Sequence, residues 1–156
     1  MNEQMSFTEL EYSKRKRKSK NEIFLERMDR LIPWDEWVEI VDPYYKRSTR
    51  SRRPVRVEVL LKMRFLRIWF DLSDAGVEDA VFDSYAMKKF LGIDFDRDRI
   101  PDATTLSKFR HALDKAGVFD LIDAKLENIM RSAKLSVRRG KAVSPRALRR
   151  PSSKKR

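Results

Sequence analysis

A chain of 156 residues with 41% apolar content is long enough for one domain with its own core. Charged residues make up 38%, and 36 Lys and Arg against 24 Asp and Glu give a formal net charge of +12, which points to a polyanionic partner. The lack of cysteine excludes disulfides and cysteine-ligated zinc, and the longest apolar run is broken by Lys62, Arg64 and Arg67, too soon to span a membrane.

In chain order, the first feature is an arm, residues 1–20. Its stretch MNEQMSFTELEYSKRKRK lacks the apolar centre of a signal peptide, so a soluble cytoplasmic protein is expected. Ser19-Lys20-Asn21-Glu22 has the form of a capping box with Ser19 at the N-cap. The helix it opens is expected to run to about Leu31, burying Phe24, Met28 and Leu31. After Pro33, Trp34, Trp37, Val38 and Val41 recur at helical spacing until Pro43. Residues 43–53 read as a basic loop. Pro54 suits the first position of a helix over roughly 55–70, apolar on several sides and therefore central. Ser73 and Ser84 suit caps of two short helices, the second carrying Met87, Phe90 and Leu91 and closed by Gly92. A charged loop over 93–101 leads to Asp102, which suits the cap of a helix with Leu106, Phe109 and Leu113 inside, stopped by Gly117. A last helix is expected over about 118–134, with Val118, Ile122, Leu126, Ile129 and Ala133 on its apolar face. No strand pattern or internal repeat is found. The fold class is all-α, with a helical domain over 21–134 and a disordered basic tail over 135–156, where apolar periodicity stops.

The basic residues are clustered. Residues 14–20 hold six Lys or Arg, residues 46–56 six and residues 134–156 ten, with no Asp or Glu in any of the three. The remainder carries every acid and is net acidic. Such segments suit contact with a nucleic-acid backbone, where Lys and Arg neutralise phosphates and release counterions. A single basic run is usually a solvated tail; three free of acids favour nucleic acid.

Residues 80–111 (AVFDSYAMKKFLGIDFDRDRIPDATTLSKFRH) resemble the amino-terminal helical domain of insertion-sequence-five family DDE transposases. Residues 12–34 (YSKRKRKSKNEIFLERMDRLIPW) and 66–80 (LRIWFDLSDAGVEDA) resemble the same family, in the same order, so the resemblance covers most of residues 7–130. It implies a DNA-binding domain of a prokaryotic, nucleoid-associated protein. Its partner would be double-stranded DNA at the terminal inverted repeats of a mobile element. In that family a ribonuclease-H-like domain with three acidic metal ligands follows, beginning with a segment like G-T-I-V-D-A-T. Residues 140–153 (GKAVSPRALRRPSS) fall in register with it, but Ser144 occupies the position of the first Asp. A hydroxyl cannot replace a carboxylate at a two-metal phosphoryl-transfer site. The expectation is therefore a truncated, non-catalytic transposase region with no catalytic residue, metal or cofactor, and with a tail after about 140 arising from a frameshift. Two other roles fit the same residues: pairing with itself or a full-length transposase as a dominant-negative regulator, and non-specific nucleic-acid binding by a decayed element.

The residues expected at DNA are Lys14, Arg15, Lys16, Arg17, Lys18 and Lys20 of the arm, because a basic arm needs no fixed geometry. Next come Arg47, Arg50, Arg52, Arg53 and Arg56. On the 102–116 helix, the apolar stripe leaves Thr104, Ser107, Lys108 and His111 on other faces, with Thr105 and Arg110 near its edges. With the short helix before it, this helix is expected to resemble a helix-turn-helix unit. The same pattern fits an ordinary amphipathic surface helix. Asp94-Phe95-Asp96-Arg97-Asp98 opens like a calcium loop, but Arg99 and Thr105 replace its glycine and terminal glutamate. Trp34, Trp37, Trp69, Phe65 and Phe70 are read as core, with an exposed dimer surface around Trp34 as the alternative.

Overall fold

Ser19, Ser73, Ser84 and Asp102 each accept a hydrogen bond from the backbone N–H three residues on, at 3.1, 2.9, 3.1 and 2.8 Å. These caps satisfy N–H groups that the first turn of a helix leaves without partners. They open four of the helices in the computed structural model, which describes residues 10–11, 14, 17–45, 55–94 and 98–135. The elements are α1 (Lys20–Leu31), α2 (Trp34–Val41), a 3-10 turn (Asp42–Tyr44), α3 (Val57–Trp69), α4 (Asp74–Asp83), α5 (Tyr85–Leu91), α6 (Ala103–Ala116) and α7 (Val118–Ser132). Among the described residues there is no strand. Gly92 and Gly117 end α5 and α6 at φ 67° and 73°, in the left-handed region that a side chain disfavours.

Helix α3 is the hub. It packs against α2, α4, α5 and α6, and its residues Val57, Val59 to Leu66 and Trp69 are all buried. Around it lies an aromatic cluster. Trp34 meets Phe65 and Phe90 edge-on at 5.9 and 5.8 Å, Phe65 stacks on Trp69 at 5.1 Å, and Phe24 meets Trp69 at 5.2 Å. Trp34 is therefore core, its ring buried rather than exposed. Phe70 is only half-buried.

Three local expectations are corrected. Leu31 is half-buried and Ile32 takes its place inside, because the chain leaves the helix at Ile32 in extended conformation and turns that side chain inward. Helix α3 begins at Val57 with Arg56 as its N-cap, later than position 55; Pro54 lies outside the described residues. The last helix ends at Ser132 and adds Phe119 and Met130 to the buried set.

Two cations on α3 are buried as well. Lys62 donates to the Phe90 carbonyl at 2.9 Å, lies 3.0 Å from Asp29, and faces the rings of Trp34 and Phe90 at 5.0 and 5.2 Å. Arg64 forks onto both oxygens of Asp123 on α7 and covers the Phe119 ring at 4.1 Å. Each buried charge has a carboxylate, which is the condition for its burial to be tolerated.

Candidate nucleic-acid interface

Helix α6 divides into two faces. Leu106, Phe109 and Leu113 are fully buried, at roughly 2 kcal/mol each. Phe109 is boxed by Tyr45 at 5.2 Å and Phe119 at 6.0 Å. That face is committed to the core. On the other side Thr104, Lys108 and His111 are exposed and Ser107 is half-buried. This spacing of three and four residues makes one continuous polar stripe.

Arg110 stands apart from that stripe. Its guanidinium donates to both oxygens of Asp74 on α4, at 2.8 and 2.7 Å, and Arg67 lies 3.4 Å from the same carboxylate. Arg110 ties α6 to α4, and this pairing holds the Asp74 carboxyl below the usual carboxylate range and raises Arg110 itself. The amino end of α6 is likewise occupied. The Ala103 N–H donates to Glu78 Oε1 at 3.2 Å, and the Thr105 N–H donates to Asp102, whose carboxyl it holds below the usual range. With acids on those N–H groups, contact with an anion falls to the side chains of the stripe.

The expected helix-turn-helix takes a different form. A short turn of three or four residues joins the helices of that motif. Here residues 92–102 separate α5 from α6, and α6 packs against α3, α4 and α7.

Of the arm, Lys14, Arg17, Lys18 and Lys20 are exposed; Arg15 and Lys16 lie outside the described residues. Lys18 reaches both oxygens of Glu26 at 2.8 and 2.9 Å. Of the 46–56 segment only Arg56 is described among the cations, donating to the Gly92 carbonyl at 3.1 Å; Arg47, Arg50, Arg52 and Arg53 lie outside the described residues. Of the described residues bounding it, Tyr45 packs on Phe109 of α6 and Arg56 lies at the end of α5. Sequence periodicity gives no reason to single out Lys89, yet its Nζ lies 3.0 Å from the carboxylate that Lys18 holds. Among the described residues no group of three or more His, Cys, Asp or Glu could hold a metal ion, and no helix is long and apolar enough to cross a membrane. Ser144, like the whole tail after residue 135, lies outside the described residues.

A family model described as Transposase domain (DUF772) matches residues 11–112, from the basic arm through most of α6. The chain belongs to that family. Its function is therefore transposase-related. No solved structure matches the chain. The transposase-domain match stops at residue 112, within α6, while the packed unit continues through α7, where Ile122 is fully buried and Asp123 holds Arg64.

Proposed function

We propose that this transposase domain is the DNA-binding amino-terminal region of an insertion-sequence-five type transposase, and that it binds terminal inverted repeats without itself cutting or joining DNA. The observation that carries this reading is the outer stripe of α6, Thr104, Ser107, Lys108 and His111, backed by the buried Leu106, Phe109 and Leu113. A helix held rigidly by one face presents the other at a fixed angle, which base readout in a major groove requires. The basic segments 14–20 and 46–56 supply backbone attraction, which is independent of sequence. Residues Lys14 to Lys20 and Arg47 to Arg56 carry affinity in this scheme, and the α6 stripe carries discrimination.

The test is a salt-titrated affinity comparison between a duplex carrying the inverted repeat and a scrambled one. Six to ten phosphate contacts give a log–log salt slope of roughly −5 to −9 on both duplexes. At least tenfold tighter binding to the repeat, about 1.4 kcal/mol, supports base readout. Replacing Ser107 and Lys108 by Ala should shrink that preference towards one and leave most of the scrambled affinity. Equal affinity for both duplexes in the unaltered chain overturns sequence recognition and leaves a non-specific binder.

A further inference from the structure

Two basic segments far apart in the sequence meet at the carboxyl end of α5. Lys18, two residues before α1, and Lys89, in the last turn of α5, converge on one carboxylate, Glu26. One helical turn further on, Arg56 donates to the carbonyl of Gly92, where α5 ends. Lys18, Lys89 and Arg56 therefore line one edge of the domain. The negative end of the α5 dipole adds to the attraction for cations there. Glu22 also faces Lys89, at 3.8 Å, but it is buried and stays within the domain.

We propose that this edge is a backbone-contacting surface for duplex DNA, with Glu26 as an internal anion whose place on Lys18 and Lys89 a phosphate takes. The proposal rests on the DNA-binding reading above and adds to it Lys89, the joining of Lys18 and Arg56 on one edge, and the exchange at Glu26 that opens it. The side chains of Lys18 and Lys89 are 53% and 46% exposed and that of Glu26 is 27% exposed. Ion pairs this open contribute little to stability and are screened by salt, so releasing them costs little. A duplex offers one phosphate charge about every 1.7 Å of its axis and sheds condensed counterions on contact. With Arg56 beside them, the two ammonium groups make three cations against two carboxylates, Glu26 and Glu22, and this surplus positive charge attracts an anion before any pair is broken. Lys62 and Arg64, closed off within the domain, have no comparable access.

The experiment measures affinity of the full chain for a labelled repeat duplex and its scrambled form across a salt series. Lys89→Ala should make the log–log slope shallower by about one and weaken binding to both duplexes severalfold, with the repeat preference unchanged. Lys89→Arg, which keeps the charge, should restore the slope. Glu26→Gln, which takes the carboxylate from Lys18 and leaves Lys89 only Glu22, should tighten binding to both duplexes. Circular dichroism and thermal melting matching the unaltered chain confirm that each variant is folded. If the unaltered chain binds duplexes steeply in salt while Lys89→Ala and Glu26→Gln change nothing, this edge is not a contact and the DNA-binding reading stands without it. If the unaltered chain binds no duplex, both readings fall.

Discussion

Lys62 in the middle of α3 and Lys89 at the end of α5 each hold a carboxylate of α1 at 3.0 Å, Asp29 and Glu26 respectively. The two pairs are alike in chemistry and in distance. They differ in water: the side chain of Lys62 is 7% exposed, against 46% for Lys89. Desolvation makes the ammonium of Lys62 depend on every partner it has: Asp29, Glu58 at 3.5 Å, the Phe90 carbonyl and two ring faces. Removing one partner of such a pair strands the other, whereas an exposed pair is rehydrated at once. Distance alone therefore does not separate a cation that holds the fold together from one that can be lent to a ligand. Burial does.

Three measurements can break or sharpen this contrast. The largest effect is expected for Lys62→Met, which keeps the apolar stem but leaves the Phe90 carbonyl without its donor. Asp29 is partly exposed and can rehydrate, so the loss should fall near the lower end for buried pairs, about 3 kcal/mol by urea denaturation. A loss under about 1 kcal/mol would show that the buried pair is no stronger than a surface one.

Asp74 lies between the extremes. Asp74→Asn removes the carboxylate that Arg110 grips with two hydrogen bonds and should cost about 2 kcal/mol at neutral pH. Arg110 is the first cause of the lowered Asp74 pKa. The folded value is below the unfolded one, so the stabilisation is fully present above about pH 4 and fades as pH falls through the folded value. Stability measured from pH 6 down to pH 2.5 should therefore decline less in Asp74→Asn than in the unaltered chain. Parallel curves would remove Asp74 from the acid response. The smallest effect is expected for Glu26→Gln, roughly 0.5 kcal/mol. A loss matching Lys62→Met would end the distinction between the two lysines.

The parts of the fold legible in the sequence are those fixed within a few residues. The caps at Ser19, Ser73, Ser84 and Asp102, and the left-handed stops at Gly92 and Gly117, depend on neighbours in the chain. So does the inner stripe of α6, because period and apolar character agree there. Lys62 and Arg64 read as interruptions of an apolar run, since nothing nearby announces Asp29, Phe90 or Asp123 as partners. Arg110 shows the same limit on the surface. An arginine beside an apolar stripe reads alike whether it faces solvent or a carboxylate on another helix, and only the packing of α4 against α6 decides for Asp74. Lys89 is illegible in the sequence for the same reason. Its significance lies in Lys18, which only the tertiary fold brings to the same carboxylate.

The burial of Trp34, Trp37 and Trp69 has an optical consequence. These are the only three tryptophans in the chain, and each is at most 8% exposed. Their emission should be blue-shifted and weakly quenched by iodide, then move to the red in one step when the core opens. The same indoles lie in the core and not on the exposed stripe of α6 or among the exposed side chains at Lys89. Intrinsic fluorescence will thus follow unfolding faithfully and stay nearly silent when a duplex docks on the outside, so a dye on the DNA has to carry that signal.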